Sequence, residues 1–477
     1  MNITIQNFGP ISSITFDLRK DFHLIYGKNS IGKSYATYCL YCIIKNITKK
    51  RIPSGAFYYE EDEEYGFFKD KVKNAVKQIR SKKSDDHILN DIASIFMVEQ
   101  LDKVLIPGIE NSLKNTFSSL VSLKNGYSKK AYSFTFHLSN GSEFTIQSDK
   151  KGSLSFRMID ITNHWRFVEK NTKTTKYCLY DGPKIVFGRP TEDQFIESFH
   201  ENLIVNINSV LEELDSDIRD IYYLPASRSG LYQALNSFTP ILAELTQNRF
   251  FINSKKIELP SLSEPLSDYF IDISTINNSF INRQYKNIIE NIENDILEGS
   301  IRYDDKAKKI KYKPNNLNLE IDIAEVSSMI SELSPLVIYL RHILHHKFSS
   351  KNFYEYNYFR NRVSSRRYDI IFIEEPEAHL HPEIQVKLTR IFAELVKLNI
   401  KVIMTSHSNF MFNKTNNMII SKEIASNKIA VYHLIKTQNG SLVNPNMIVS
   451  EDGIADDNFA EISKKLYEER VDSLDGY

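Results

Sequence analysis

Residues 22–34 read Phe22-His23-Leu24-Ile25-Tyr26-Gly27-Lys28-Asn29-Ser30-Ile31-Gly32-Lys33-Ser34. The first five are an apolar run of strand length, and Gly27 stops it. From Tyr35 the pattern YATYCLYCIIKNI carries no breaker, so a mostly buried helix is expected next. Between strand and helix lies G-x-x-x-x-G-K-[ST], and a strand–loop–helix setting is the context this pattern requires. In such a loop the backbone N–H groups and the helix N-terminus cradle phosphates. Gly27, Asn29, Ser30 and Gly32 are therefore expected to line the phosphates of ATP, with Lys33 reaching the β and γ phosphates and the Ser34 hydroxyl coordinating Mg²⁺. With 16 glycines in 477 residues, an accidental match of this kind is rare.

Two further apolar runs end in polar chemistry. Tyr368-Asp369-Ile370-Ile371-Phe372-Ile373 reads as a buried strand that delivers Glu374, Glu375, Pro376 and Glu377 to its C-terminal end. A carboxylate in that place holds the metal of a bound nucleotide, so Glu374 is expected on the Mg²⁺ side and Glu375 as the general base for attacking water. Lys401-Val402-Ile403-Met404-Thr405-Ser406 is a third strand, and His407 at its end can hydrogen-bond a γ-phosphate and report its presence.

Around these runs the chain alternates between sheet and helix signals. Ile3–Ile5 and Ile14–Phe16 alternate as short strands, and Ile221–Leu224 reads as another. Residues 59–90 mix both charge signs and read as a solvated helical insertion. Residues 131–160 alternate on both sides of Asn140-Gly141, a hairpin signal. A helical pattern covers 195–219, and 231–300 is mainly helical with a polar, Asn-rich middle, before paired strands at 301–323. No heptad run announces a coiled-coil arm, and no internal repeat is visible.

Composition bounds the classes. The 477 residues carry 60 basic and 60 acidic side chains, with 42% hydrophobic and 25% charged residues, which excludes a disordered tail and a single small domain. Zero formal net charge removes the basic excess that commonly marks a nucleic-acid surface. Cys39, Cys42 and Cys178 cannot build a disulfide framework, and the first residues lack a signal-peptide pattern, so a reduced, cytoplasmic setting is expected. No stretch approaches the 18 or so apolar residues of a membrane span.

The motifs GKNSIGKS, IIFIEEPEAHLHPE and VIMTSHS, with YYLPASRSGL at 222–231 and VSSMISELSPL at 326–336, resemble the ABC-type ATPases of the OLD (overcoming lysogenisation defect) group and their stand-alone relatives. The opening ITIQNFGPI is similar to the first strand pair of RecF and SMC heads. The resemblance implies an α/β head with a mixed core sheet, a β subdomain, a helical lobe and insertions. It places Glu374 and Glu375 at the Walker B and catalytic positions, although Asp is commoner at the first, and puts Pro376–His381 in the D-loop region. His407 would be the switch histidine, and Arg228 would lie in the loop between core and helical lobe, near the nucleotide. Ser327 and Ser328 would sit in the signature motif that contacts the γ-phosphate held by another subunit. Met329 stands where Gly usually follows, which departs from the pattern.

The implied organisation is an ATPase core at 1–50, a helical and hairpin insertion at 51–215, a core strand and loop at 216–230, a helical lobe at 231–317, and the rest of the core with a C-terminal cap at 318–477. The implied function is an Mg-dependent ATPase, at least a head-to-tail homodimer, whose nucleotide state controls a separate effector, a nuclease, in antiphage defence. The relatives named by this likeness are the ATPase subunits of PARIS and Septu systems. OLD proteins usually continue into a Toprim nuclease, and the residues after His407 read instead as closing strands and a helix. A phage trigger protein or DNA is a further implied partner. A RecF/SMC-like repair ATPase, with DNA as the regulated ligand, stays open, as does a scaffold that uses ATP only to hold an assembly together. Other constellations read as structure: Cys39 and Cys42 as buried core, Glu377 with His379 and His381 as a turn, and His345-His346 as a helix end. Arg360, Arg362, Arg366 and Arg367, interleaved with aromatics, read as a solvated connector or as a nucleic-acid or partner contact.

Overall fold

The computed structural model describes residues 1–48, 63–81, 87–139, 141–159, 165–215, 218–234, 262–276, 278, 280–344, 367–455 and 458–475. They form two compact units. Asn140, His345, His346, Arg360, Arg362, Arg366 and much of the polar stretch before residue 262 lie outside the described residues.

One unit comprises Pro10–Ser12, Arg19–Tyr41 and Asp217–Tyr477. Its main strands are β1 (Phe22–Gly27), β2 (Ile218–Leu224), β3 (Tyr368–Glu374), β4 (Ile400–Ser406), β5 (Ile429–Thr437) and β6 (Gly440–Val443). They lie in the order β2-β3-β4-β1-β5-β6, parallel from β2 to β5 with β6 antiparallel at the end. Parallel strands covered on both faces read as unbroken apolar runs, and this is why β1, β3 and β4 were plain in the sequence. All residues of β1 and β4 are buried.

Register decides where the chemistry sits. Leu224 pairs with Ile373, Glu374 with Thr405, Ser406 with Tyr26, and Leu434 with Gly27. The C-terminal ends of β1, β2, β3 and β4 therefore share one edge. In an open parallel sheet that edge is where ligands bind, because helix N-termini and loops converge there. The helix Lys33–Ile47 packs on the sheet through Tyr41, whose ring meets Tyr223 at 5.3 Å and Phe372 at 5.5 Å. Helices Pro382–Lys397 and Asn409–Ile420 bury Leu388, Phe392, Met411 and Met418 in the same core. Near it, Gly299–Asp304, Lys309–Pro314 and Ile321–Asp322 form a three-stranded antiparallel sheet where paired strands were expected, followed by the helix Ser328–Ile338.

The other unit comprises Met1–Gly9, Ser13–Leu18 and Cys42–Ser216. The hairpin expected at 131–160 is part of a larger antiparallel array: Ser133–His137 pairs with Asn2–Phe8 and with Glu143–Ser148, which pairs with Leu154–Ile159. A second three-stranded sheet (Trp165–Glu169, Tyr177–Asp181, Lys184–Arg189) was not anticipated. The helix Glu63–Arg80 is less solvated than its charge mixture implied, since Phe68, Val72, Ala75 and Val76 are buried. Its charged residues flank an apolar stripe at helical spacing.

Candidate nucleotide site at the sheet edge

The loop after β1 is shaped by two glycines. Gly27 has φ +144°, and a Cβ there would lie 2.6 Å from the Leu434 carbonyl oxygen on neighbouring β5. Gly32 has φ +98°, and its Cβ would meet Pro10 at 2.8 Å. Side-chain-bearing residues rarely adopt these conformations, so glycine is required at both ends of the loop. Between them Asn29 and Ser30 are exposed, and the helix begins with Ala36 N–H donating to Gly32 O at 3.0 Å.

Lys33 is 6% exposed, and its Nζ donates to the loop carbonyls of Gly27 at 3.1 Å and Lys28 at 3.0 Å. Burial lowers its pKa from 10.5 to about 8, against the opposing pull of Glu375, Glu377 and Glu374. The three carboxylates named from the sequence and this lysine thus share one electrostatic environment, and β3, β4 and β1 are the elements that bring them there.

Glu374, at the end of β3, is 4% exposed. The Tyr38 hydroxyl donates to its Oε2 at 3.3 Å. Burial raises its pKa, and the nearby hydroxyls of Ser34, Tyr38 and Tyr223 act the other way. Its Oε1 has no hydrogen-bond partner among the described residues. A buried carboxylate oxygen left without a donor is costly unless something else satisfies it. Hard oxygen donors from Ser34 and Glu374, with one carboxylate oxygen free, are the donor set a Mg²⁺ ion takes beside phosphate oxygens, so these residues fit that ion.

Glu375 follows with φ +41°, a left-handed conformation that turns the chain sharply out of β3. Its N–H donates to the Thr405 carbonyl at 3.1 Å and hydroxyl at 3.3 Å, which ties the turn to the end of β4. Its Oε1 lies 3.6 Å from His407 Nε2. Burial, with Lys33 nearby, lowers the His407 pKa, and Glu375 opposes this, so the imidazole favours its neutral form. Glu377 accepts from the backbone N–H of His407 through Oε1, and burial raises its pKa.

Arg228 differs from expectation. It is 2% exposed, and its guanidinium donates to the carbonyls of Pro225 at 2.9 Å, Glu332 at 3.0 Å and Glu374 at 3.0 Å. It lies 3.3 Å from the fully buried Glu332 carboxylate. The side chain is thus held inside the protein against the Glu374 main chain and is not an open nucleotide contact, because a buried charge needs a partner and Glu332 supplies it. Glu332 also accepts from Arg228 N, Ser229 N and Ser229 Oγ at 3.1, 3.2 and 2.7 Å. Sequence reasoning missed Glu332, although a lone acid amid the apolar residues of ISELSPLVIYL was a usable signal.

Ser327 and Ser328 are exposed at the start of the Ser328 helix, and no side-chain bond caps it. Among the described residues no hydrogen bond joins either serine to the loop at 27–34. Met329 is half-buried against the core and lines a cleft with Ile330, Pro314 and Leu317. His381 caps the helix Pro382–Lys397 by accepting from Glu383 N–H, and Cys39 and Cys42 are fully buried.

The glycine-bounded loop, Lys33, the carboxylates after β3 and His407 meet at this single edge, which is the arrangement of a P-loop ATPase domain. A family model described as AAA ATPase domain matches residues 1–412, and the chain belongs to that family. No curated protein matches it. Among solved structures it is similar to an Smc head bound to the C-winged helix domain of ScpA, at 10% identity and TM-score 0.36, covering 93% of this chain and 96% of that one. It is also similar to the SMC head domain from Thermotoga maritima, at 9% identity and TM-score 0.33, with 94% and 98% covered. A third is an Smc head domain with an extended coiled coil bound to the C-terminal domain of ScpA derived from Pyrococcus furiosus, at 11% identity and TM-score 0.35, with 98% of each chain covered. No helix among the described residues is long and apolar enough to cross a membrane.

Proposed function

We propose that the protein is an Mg-dependent ATPase whose composite site forms between two subunits arranged head to tail, and whose nucleotide state controls a separate effector, a nuclease, in antiphage defence in the cytoplasm. The observation that carries the ATPase reading is the convergence of Lys33, Glu374, Glu375 and His407 on one sheet edge. The loop N–H groups bind the phosphates, and Lys33 in its charged form neutralises them. Ser34 and Glu374 would hold Mg²⁺, which supplies charge neutralisation at the phosphates when bound. Glu375, half exposed and pinned by its backbone to Thr405, takes a proton from water, and neutral His407 offers a hydrogen bond to the terminal phosphate.

Pairing is supported by the exposed serines at the start of the Ser328 helix, which no hydrogen bond among the described residues joins to the chain's own loop. Their placement suits a phosphate held by a second subunit, where the helix N-terminus favours anionic charge. The effector and antiphage role rest on the resemblance of EEPEAHLHP and its companion motifs to stand-alone OLD-type subunits. Steady-state ATP turnover and sedimentation with Mg-ATP test the reading. Wild type is expected to hydrolyse ATP, and Glu375→Gln to lose turnover while accumulating a nucleotide-dependent oligomer. A Glu375→Gln protein that neither binds ATP nor changes oligomeric state contradicts it.

A further inference from the structure

Glu377 has no chemical role in the reading above beyond its place in the turn after β3, yet it is largely buried beside Lys33, Glu375 and His407. Its Oε1 accepts from the backbone N–H of His407, and its Oε2 has no hydrogen-bond partner among the described residues. The turn that carries it is rigid at both ends: Ala378 N–H donates to Glu375 O at 3.0 Å and Leu380 N–H to Glu377 O at 3.1 Å. On the opposite strand, Ser408 N–H donates to Ser406 Oγ at 3.0 Å, and Ser408 Oγ caps the Asn409–Ile420 helix by accepting from Met411 N–H at 3.1 Å. His407 therefore lies between the last residue of β4 and Ser408, the cap of that helix, and the bond to Glu377 fixes its backbone N–H. Two stitches join the turn after β3 to the end of β4: Glu375 N–H to Thr405, and His407 N–H to Glu377. The first places the backbone of the general base, and the second places the backbone of the imidazole that lies 3.6 Å from that base.

We propose that Glu377 is a positioning residue, acting through the backbone of His407 to hold the imidazole in register with Glu375 and the terminal phosphate. This rests on the ATPase reading of the site and adds a residue to it. A side chain that only packed would be replaceable by an apolar residue, whereas one acting as a hydrogen-bond acceptor is replaceable by its amide, whose oxygen accepts from the same N–H. Misplacement of a reacting group by about 1 Å can cost about a hundredfold in rate, so loss of the anchor is expected to appear in kcat.

The test is a double-mutant cycle on ATP hydrolysis with Glu377→Ala, Glu377→Gln, His407→Ala and Glu377→Ala/His407→Ala, each also checked for ATP affinity with a fluorescent nucleotide. Glu377→Ala is expected to lower kcat about tenfold or more with ATP affinity held within about threefold, and Glu377→Gln to restore most of that loss. The double variant is expected to be no slower than His407→Ala alone, because Glu377 acts through His407. Losses that multiply in the double variant overturn the proposal while leaving the ATPase reading intact. A His407→Ala protein with wild-type kcat overturns it together with the role given to His407. A Glu377→Gln protein as slow as Glu377→Ala shows that charge and not the acceptor matters, and also overturns it.

Discussion

Replacing Glu332 by Leu should open the Ser328 helix far more than its single position suggests. The carboxylate is fully buried and is the counter-charge of Arg228, itself 2% exposed. Removing one partner of a buried ion pair leaves the other charge uncompensated, at a cost of about 3–5 kcal/mol. Arg228 N, Ser229 N and Ser229 Oγ lose their acceptor in the same step. Removing both charges, as in Glu332→Leu/Arg228→Met, is expected to cost less, because a buried pair exchanged for apolar side chains is often near neutral. The double variant shares with the single one the lost acceptor at Arg228 N, Ser229 N and Ser229 Oγ, and it adds the main-chain carbonyls of Pro225, Glu332 and Glu374, which lose a donor, at about 1–3 kcal/mol for a group left unsatisfied. Hydrogen exchange at amides of the Ser328 helix and of β2 reads this directly. At 1.4 kcal/mol per tenfold, Glu332→Leu should speed exchange there by roughly a hundredfold or more, and the double variant by clearly less. A double variant opening faster than the single, or a single variant within about threefold of wild type, would refute the ion-pair reasoning.

Two further outcomes follow from the loop. The lowered pKa of Lys33 means that free protein loses the ammonium charge as pH rises past about 8, so kcat/KM for ATP should fall with an alkaline limb near that value. Saturating ATP, whose phosphates favour the charged lysine, should move that limb up in kcat, and identical limbs in both profiles would argue against Lys33 as the group. Gly27→Ala should abolish tight nucleotide binding, because the new methyl meets the Leu434 carbonyl at 2.6 Å in a backbone region that alanine avoids. Wild-type affinity in a fluorescent-nucleotide titration would show that the loop can relax.

What could be read from the sequence was local. A buried parallel strand is a continuous apolar run and a phosphate loop is eight consecutive residues, so β1, β3, β4 and the loop could be found without knowing their neighbours. Strand order and register depend on contacts between distant segments, and no periodicity carries them. Arg228 was read as a nucleotide contact for this reason: its partners Glu332 and Glu374 lie far along the chain, and only the fold shows that its Nε and Nη1 are engaged by their carbonyls. Tyr38, one helical turn after Ser34, was read as helix core, and its hydroxyl instead holds Glu374 Oε2. The sheet at 165–189 was missed because strands such as Lys184–Arg189 leave both faces partly exposed and show weak alternation. Glu63–Arg80 misled in the other sense, its charges masking the buried Phe68 and Val72.

The central claim is that one subunit's loop and another's Ser327-Ser328 complete a single site, and subunit mixing tests it most directly. Lys33→Ala disables the loop and Ser328→Arg disables the serine face, so each variant alone should be inactive in ATP hydrolysis. Mixed together, they form pairs in which one of the two sites has an intact loop from one chain and intact serines from the other, and turnover should reappear at a substantial fraction of wild type. A mixture that stays as inactive as its components, with pairing confirmed by sedimentation, would contradict a site shared between subunits.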